Sequence, residues 1–334
     1  TAVCDGASQT ALIAEEKSPP RIFLRVPSRK RSGMETSMKN KNHSAEDISS
    51  RRKCPGTLYL CATPIGNLED ITFRVLRTLK EVDLIAAEDT RNSMKLCSHF
   101  DIRTPLTSYH EFNKYDKARV LVEKLLAGAD IAVITDAGTP GISDPGEELV
   151  RQCHEAGITV TSLPGAAACI TALTMSGLPT RRFAFEAFLP ADRQERREVL
   201  ESLKNETRTM IVYEAPHRLK KTLAELMDIF GADRKLSLCK ELTKKHENVF
   251  LTTFSEAAEY YEQNEPRGEY VLVIDGKSMS EIKKEQQARW EDMSISEHVD
   301  MYISQGMDKK EAMKAAAKDR GISKRDVYNE YIKI

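Results

Sequence analysis

The sequence of 334 residues predicts an α/β fold, in which two tandem α/β domains precede a small C-terminal helical domain. Short apolar runs of strand length alternate with helical patterns from Gly56 onward, and a second series of this kind begins near Arg181. After Lys277 the pattern becomes purely helical. Strands that alternate with helices are typical of βαβ units, so we expect a mostly parallel sheet.

The first α/β domain is predicted to span residues 56–177. Its buried strands are expected at residues 57–62, 82–87, 131–135 and 158–163. Its helices are expected at residues 70–80, 117–126 and 147–156. Asp144 and Pro145 have the order of an N-cap and a proline at the first helical position, and Gly157 is placed to end that helix.

The second α/β domain is predicted to span residues 178–278, and residues 175–182 form the joint. Its strands are expected at residues 183–188, 209–213, 236–240, 249–252 and 270–274. Its helices are expected at residues 193–203, 216–230 and 255–263.

The helical domain is predicted at residues 285–334. An alanine-rich helix is expected over Lys309–Arg320, and Gly321 ends it. Ser323 begins another helix, with Asp326 three residues on in an arrangement similar to a capping box. Two helices joined by a tight glycine turn have helix-turn-helix spacing.

Composition restricts the class of protein. Hydrophobic residues make up 40% and charged residues 30%, as in ordinary globular proteins, and no apolar run is long enough to predict a membrane-spanning helix. Fifty Lys and Arg against 51 Asp and Glu argue against a globally basic nucleic-acid binder, although a local basic face is compatible with this balance. The seven cysteines lack zinc-finger spacing, so we expect reduced thiols, no metal site and a cytoplasmic protein.

Residues 1–55 differ from the rest of the chain. They are rich in Ser, Lys and Asn and have no apolar period, which predicts a disordered extension. A transit peptide is the alternative, and the acidic residues of the segment argue against it. Met34 and Met38 are candidate starts, so the sequence leaves open whether residues 1–37 belong to the native protein.

Loops rich in glycine and proline follow three of the predicted strands, at residues 63–67, 136–146 and 164–168. The carboxyl ends of strands in open α/β sheets are where ligands bind, and small residues there let the backbone approach a ligand closely. Tight βα turns are the alternative explanation, and three such loops at one edge favour a ligand site. The sequence has no GxGxxG after its first strand, no GxxxxGK[ST], no GxSxG and no HExxH, which argues against classical dinucleotide, P-loop, serine-hydrolase and zinc-protease sites.

Eight blocks resemble, in order, the bacterial 16S ribosomal RNA (cytidine-2′-O)-methyltransferase family, a branch of the tetrapyrrole-methylase-like enzymes that use S-adenosylmethionine. The blocks lie at residues 62–68, 87–91, 136–146, 163–165, 188–190, 213–218, 240–244 and 267–269. The resemblance covers about residues 56–276, and the sequences ATPIGNL, AEDTR and DAGTPGISDPG are its most specific parts.

The resemblance implies a methyl donor held in a cleft between the two α/β domains, usually in a homodimer. It implies methyl transfer to the ribose of a cytidine at the decoding centre of 16S rRNA, within the small ribosomal subunit. The donor site it implies consists of Pro64, Gly66, Asp136, Ala137, Gly138, Ile142, Ser143, Asp144, Gly165, Ala167, Ala168, Tyr213, Leu242 and Gly268. Two departures from the family are Ala166-Ala167, where Pro-Ser is frequent, and Lys240, where arginine is common.

The acceptor hydroxyl is a weak acid, so a base or a cation that stabilises an alkoxide would assist the reaction. The catalytic candidates are Glu88, Asp89, Arg91, Glu241 and Lys244, and Glu269 belongs to the same set of charges. The five catalytic candidates have structural alternatives: Glu88 and Asp89 can cap the following helix, Arg91 can pair with Asp89, and Glu241 and Lys244 can form an ion pair.

The RNA-binding candidates are basic side chains of a helix start and of the helical domain. They are His217, Arg218, Lys310, Lys314, Lys324 and Arg325, with residues 109–111 as a weaker candidate facing RNA. A solvated helix face is the alternative for the lysines. Two other functions stay open at this point, namely methylation of a tetrapyrrole or another small molecule, and a non-catalytic module that binds RNA or the ribosome.

Overall fold

The computed structural model describes residues 54–332. The predicted extension at residues 1–55 lies outside the described residues, apart from Cys54 and Pro55.

The first sheet contains five parallel strands in the order β3-β2-β4-β1-β5. The strands are β1 (Thr57–Cys61), β2 (Leu84–Ala87), β3 (Leu106–Ser108), β4 (Ile131–Ile134) and β5 (Thr159–Leu163). The helices are α1 (Phe73–Glu81), α2 (Thr90–His99), α3 (Lys114–Leu126), α4 (Gly146–Glu155) and α5 (Ala168–Met175).

Alternation along β4 explains why this sheet is buried on both faces. Ile131 and Val133 pack against α3 and α4, whereas Ala132 and Ile134 pack against α1 and α2. Each face therefore has an apolar layer of its own, as expected of a parallel sheet covered by helices.

The second sheet has the order β6-β7-β10-β8-β9 and is mixed, whereas the first sheet is parallel, as the alternation of strands and helices predicts. Only β6 and β7 run parallel, because β10 returns between β7 and β8 and is antiparallel to both, and β8 is antiparallel to β9. The strands are β6 (Phe183–Phe188), β7 (Thr209–Glu214), β8 (Lys235–Lys240), β9 (Asn248–Thr253) and β10 (Tyr270–Ile274). The helices are α6 (Arg193–Leu203), α7 (Pro216–Phe230) and α8 (Phe254–Gln263).

The two faces of the second sheet have different partners. Leu236, Leu238 and Leu272 pack with residues of α6, α7 and α8 on the outer face. Val271 and Val273 pack with α5 on the other face. Helix α5 follows the first sheet in the chain and thus packs against the second sheet, together with Ile65 of the loop after β1.

The helical prediction after residue 277 is confirmed. The helices are α9 (Met279–Ala288), α10 (Ile295–Ser304), α11 (Lys309–Arg320) and α12 (Lys324–Ile332). Gly321 ends α11 in a left-handed conformation with a φ of 64°. A small apolar core that contains Val299, Ala316 and Val327 joins α10, α11 and α12.

Within residues 54–332, no helix is long and apolar enough to cross a membrane. The same part of the chain contains no group of side chains that could hold a metal ion. All six cysteines of these residues are free, which confirms the expected thiols there.

Candidate functional site

A cavity of about 700 Å³ opens at the carboxyl edge of the first sheet. Its walls come from the loops after β1 and β4, from α2, and from two loops of the second sheet. The lining residues are Thr63, Pro64, Ile65, Gly66, Leu68, Asn92, Ser93, Lys95, Leu96, His99, Thr135, Asp136, Ala137, Lys244 and Glu269. The cavity thus contains residues from four of the eight sequence blocks.

The loops after β1 and β4 are fastened to each other by backbone hydrogen bonds. The Thr63 N–H donates to the Gly138 carbonyl at 2.9 Å, and the Gly138 N–H donates to the Thr63 carbonyl at 3.1 Å. Gly138 has a φ of +90°, a backbone conformation that residues other than glycine rarely adopt. Gly138 therefore holds the cavity wall although it does not line the cavity.

Gly66 is the point where the first sheet's loops meet those of the second. A Cβ at this position would lie 2.6 Å from Lys244 Cγ and 2.8 Å from Thr243 Oγ1. Any larger residue would push these loops apart, so the sequence requires glycine here to bring Lys244 to the cavity.

Lys244 forms an ion cluster with Glu241 and Glu269. Its ammonium lies 3.0 Å from Glu241 Oε1 and 2.9 Å from Glu269 Oε2, and the Glu269 N–H donates to Glu241 Oε1 at 2.9 Å. Burial lowers the pKa of Lys244, but its bonds to Glu269 and Glu241 outweigh burial and raise the pKa above its ordinary value. Lys244 is therefore held as a cation.

The same ion cluster keeps Glu241 ionised. Burial raises the pKa of Glu241, but the hydrogen bond from the Glu269 backbone and the charge of Lys244 bring it below its usual value. The backbones of Glu241 and Thr243 are both left-handed, with φ of 51° and 64°. Such conformations cost about 1–3 kcal/mol and concentrate at functional sites.

The Thr243 hydroxyl is one of three buried side-chain polar atoms in residues 54–332 that lack a hydrogen-bond partner. A buried unpaired hydroxyl is costly, and this one lies behind Gly66 without lining the cavity.

Glu88 stands at the end of β2, next to the cavity wall. The Asp136 N–H donates to Glu88 Oε2 at 3.4 Å. Burial raises the pKa of Glu88, and the nearby carboxylates of Asp136, Asp144 and Asp89 add to this effect. Among the three candidate carboxyl groups, Glu88 is thus the only one whose pKa is raised, since those of Asp89 and Glu241 are lowered.

Asp89 and Arg91 bond to each other, as the structural alternative expects. Asp89 caps α2 by accepting from the Arg91 N–H at 2.8 Å, and Arg91 Nη2 lies 2.8 Å from Asp89 Oδ2. The side-chain bond from Arg91 lowers the pKa of Asp89 to about 2. Neither side chain lines the cavity, although the Arg91 side chain is 84% exposed and accessible to a partner.

Asp144 shapes the long loop after β4, and it does not cap α4 in the expected way. Pro145 occupies the N-cap position, and α4 begins at Gly146. The Asp144 carboxylate accepts hydrogen bonds from the backbone N–H groups of Gly141, Ile142 and Gly146, the closest at 2.8 Å. These bonds fix the turn that leaves Ile142 and Ser143 exposed.

Tyr109 is buried, although residues 109–111 were expected as a weaker candidate to face RNA. It is 2% exposed, and its hydroxyl donates to the Pro145 carbonyl at 2.7 Å. Tyr109 therefore supports the base of the same loop, because a buried tyrosine needs a partner for its hydroxyl.

The remaining predicted donor residues lie around α5 and do not line the cavity. Ala167, Ala168, Tyr213 and Leu242 pack into one apolar cluster with Ile65 of the β1 loop. Two glycines of this group lie against neighbouring side chains: a Cβ on Gly165 would lie 2.6 Å from Ala62 Cβ, and one on Gly268 would lie 2.6 Å from Glu241. The structure thus brings these blocks of both sheets together, beside the cavity.

The predicted RNA-binding residues separate into two groups. Arg218 donates to the buried Glu214 carboxylate at 2.9 Å, so it has a structural partner. The other members are exposed: His217 in the first turn of α7, Lys310 and Lys314 on α11, and Lys324 and Arg325 on α12.

One wall of the cavity was missed at the sequence level. It is formed by α2, whose lining residues are Asn92, Ser93, Lys95, Leu96 and His99. Positions 92, 95, 96 and 99 share one face of a helix, so this spacing after the AEDTR block is the signal that could have found them.

Comparison with known proteins gives the family. A family model described as Tetrapyrrole (Corrin/Porphyrin) Methylases matches residues 57–258. The chain is 49% identical over 281 residues to "Ribosomal RNA small subunit methyltransferase I" of Halalkalibacterium halodurans, covering 84% of this chain and 96% of that protein. It is 48% identical over 276 residues to the protein of the same name from Bacillus subtilis, covering 83% of this chain and 94% of that protein.

A solved structure of similar fold is that of diphthine synthase. It has a TM-score of 0.54 at 12% identity, and the match covers 67% of this chain and 91% of that chain. The fold is therefore shared well beyond the range of clear sequence similarity. The family model and the two relatives, which are 49% and 48% identical to this chain, show that it belongs to the tetrapyrrole methylase family and, within it, to the proteins named ribosomal RNA small subunit methyltransferase I.

Proposed function

We propose that this protein is a methyltransferase that uses S-adenosylmethionine to methylate the 2′-hydroxyl of a cytidine in 16S rRNA, within the small ribosomal subunit. The observation that carries the proposal is the cavity where the loops after β1 and β4 meet Lys244 and Glu269 of the second sheet. The names of the relatives support rRNA as the acceptor, and the specific cytidine and its ribose come from the family resemblance.

The residues around the cavity fit the chemistry of the proposed donor. A volume of about 700 Å³ lies within the usual range of cofactor sites. The lining contains Asp136 and Glu269 as carboxylates and Lys95 and Lys244 as cations, and S-adenosylmethionine carries groups of both charges.

Bound S-adenosylmethionine supplies an electrophilic methyl group. The loops that contain Pro64, Gly66, Asp136 and Ala137 would hold it, with the cluster of Ala167, Ala168, Tyr213 and Leu242 behind them. Much of the catalysis is then positioning, because bringing the acceptor oxygen into line removes most of the entropic cost of the reaction.

Two charged residues have different roles in the proposed reaction step, Lys244 in stabilising charge and Glu88 in accepting the proton. Lys244 is held protonated by Glu241 and Glu269, so it can stabilise the negative charge that develops on the acceptor oxygen but cannot serve as the base. Glu88 has a raised pKa and is the proton acceptor that we propose. Its carboxylate accepts a hydrogen bond from the backbone N–H of Asp136, which lines the cavity.

The exposed basic residues of α11 and α12 support an RNA-binding role for the helical domain. Phosphate contacts from lysine and arginine depend steeply on salt. Truncation after residue 284 should therefore weaken RNA binding and flatten its salt dependence while donor affinity is kept. We also propose the homodimer that the family resemblance implies, to be measured by sedimentation.

The donor site is tested with Ala137→Trp, which introduces a bulky side chain into the cavity from an exposed position. Calorimetry should show loss of S-adenosylmethionine binding by a folded protein. Ala127→Trp is the matched control, because Ala127 is exposed and precedes β4 at the opposite edge of the sheet. Unchanged donor affinity in Ala137→Trp would contradict the placement.

The acceptor is tested with small ribosomal subunits and with naked 16S rRNA, followed by mass spectrometry of the digested product. The expected product carries the methyl group on a cytidine ribose. A 2′-deoxy nucleotide at the target should abolish methylation and largely preserve binding, because shape and phosphate contacts remain. A methyl group on the cytosine ring, or on a small molecule but not on RNA, would contradict the proposal.

A further inference from the structure

We infer that a second cavity, on the outer face of the second sheet, binds an unpaired nucleotide of the RNA next to the methylated one. The inference rests on the proposed function. The cavity has a volume of about 540 Å³, and its aromatic and cationic lining residues are Lys240, Phe250, Tyr260, Tyr261, Arg267 and Tyr270.

The position of this cavity follows from strand alternation. Lys240 and Tyr270 are register partners at the ends of β8 and β10, on the outer face with Leu238 and Leu272. The next residue after Lys240 is Glu241, and the residue before Tyr270 is Glu269, and these two carboxylates belong to the ion cluster of the first cavity. The two cavities therefore lie on opposite faces of the same strand ends.

The aromatic walls suit a nucleobase. The Phe250 and Tyr260 rings lie 5.6 Å apart between centroids, and 39% of Phe250 and 48% of Tyr260 are exposed. Behind them, the buried Tyr261 hydroxyl donates to the Tyr270 hydroxyl at 3.3 Å, which fixes the floor. Exposed aromatic faces on a fixed floor are the platforms on which unpaired bases stack.

The charges suit a phosphate beside that base. Lys240 and Arg267 form no ion pair within residues 54–332. The carboxylate in the lining, Glu265, is instead neutralised by Lys220 at 2.6 Å. An apolar protein segment would leave both cations buried without a partner, which is unfavourable, whereas a nucleotide satisfies the aromatic rings and the cations together.

The chain also explains why the two cavities would serve one strand of RNA. The block at residues 240–244 gives Lys240 to the second cavity and Lys244 to the first. The block at residues 267–269 likewise gives Arg267 to the second and Glu269 to the first. Two short segments, in which the lining residues lie four and two positions apart, thus contribute to both cavities, and we infer that an RNA strand whose target ribose meets the first cavity places a neighbouring nucleotide at the second.

The test uses a synthetic single-stranded RNA that contains the target cytidine, with 2-aminopurine placed in turn at each flanking position. Stacking on an aromatic ring quenches the fluorescence of this base. In the wild-type protein one flanking position should be quenched, and Phe250→Ala and Tyr260→Ala should remove the quenching and weaken RNA binding by about tenfold. Phe183→Ala is the matched control, because Phe183 is also 39% exposed and begins β6 at the opposite edge of the sheet.

The cations are tested through salt dependence. Lys240→Gln and Arg267→Gln should each reduce the slope of log affinity against log salt by about 0.7, the value for one phosphate contact on a single strand. Donor affinity, measured by calorimetry, should stay unchanged in all four variants.

Methylation of small ribosomal subunits by the wild-type protein is measured first, so that failure of the proposed function is seen separately. If the wild type methylates them but Phe250→Ala and Tyr260→Ala keep full quenching and affinity, the inference is wrong and the proposed function stands. If these variants become monomeric with unchanged RNA quenching, the cavity is a subunit contact, which also overturns the inference.

Discussion

The Glu241 carboxylate occupies the space where a side chain on Gly268 would begin. A Cβ on Gly268 would lie 2.6 Å from Glu241 Cδ, and the φ of Gly268 is +85°. The ion cluster of Glu241, Lys244 and Glu269 therefore depends on the absence of a side chain at residue 268.

Gly268→Ala should displace Glu241 and, through it, Lys244. We expect a loss of methyl transfer of about 100-fold, the scale on which a misplaced catalytic group acts. Gly306→Ala is the control, because Gly306 has a similar φ of +95° with no atom within 4 Å of the added Cβ. Both variants share the backbone penalty of about 1–2 kcal/mol in thermal denaturation, and equal activities would show that the Glu241 contact is unimportant.

Glu88→Gln should lower the methylation rate by about 10²–10⁴-fold and leave donor affinity unchanged, because a general base acts only in the reaction step. In the wild-type protein the rate should fall as pH drops through the pKa of Glu88, which burial raises above its ordinary 4.5. The residual rate of Glu88→Gln should lack this acidic limb. Glu155→Gln, an exposed change on α4, serves as the control, and a wild-type pH profile in Glu88→Gln would assign the base elsewhere.

The blocks that follow strands could be expected at one edge of the first sheet, because parallel strands bring their carboxyl ends together there. The loops after β1, β4 and β5 therefore had to meet, wherever the sheet placed them. The structural role of Asp144 could not be predicted. The sequence Asp-Pro is the same whether the aspartate caps the following helix or accepts hydrogen bonds from backbone N–H groups of its own loop.

The direction of β10 and the existence of β3 and α5 could not be predicted from the sequence, for a different reason. A buried apolar strand such as Tyr270–Ile274 has the same composition in parallel and antiparallel sheets. Strand β3 has only three half-buried residues, and α5 is a short helix whose apolar residues are in part buried, such as Leu173, and in part exposed, such as Ile170. Neither has the periodicity that pattern reading requires.

Glu214→Gln should strongly destabilise the second α/β part. The buried Glu214 carboxylate accepts from Arg218 at 2.9 Å and from the Thr222 hydroxyl at 2.5 Å. Leaving Arg218 and the nearby Arg196 without this charge should cost about 3–5 kcal/mol in the free energy of unfolding, measured with denaturant. Glu265→Gln breaks the exposed pair with Lys220 and should cost below about 1 kcal/mol, so equal losses would contradict the importance of burial.

His298→Phe should remove a pH dependence from the helical domain. His298 is fully buried, and its ring stacks on that of Trp290 with 3.8 Å between the ring centroids. It also stacks on the Tyr302 ring, at a centroid distance of 5.2 Å. Arg320 donates to its Nδ1 at 3.1 Å, and Asp319 lies 3.6 Å from its Nε2. Burial and the charge of Arg320 lower the pKa of His298 from its usual 6.5, and Asp319 opposes them only in part.

The sign of the effect follows from proton linkage. Below about pH 6.5 the unfolded chain binds a proton at His298 that the folded domain does not bind, so the free energy of unfolding decreases as pH falls towards the lower folded-state pKa. The slope for one proton is at most about 1.4 kcal/mol per pH unit. Above this window the contribution of His298 is constant.

Trp290 makes this prediction measurable, because it is the single tryptophan of the sequence and it contacts His298 directly. Denaturation followed by tryptophan fluorescence should show a lower midpoint at pH 5.5 than at pH 7.5 in the wild type, and a smaller difference in His298→Phe, which keeps the stacked ring. His154→Phe changes an exposed histidine on α4 and should retain the wild-type difference. Equal midpoints at the two pH values in the wild type would mean that His298 is protonated to the same extent in the folded and unfolded chains.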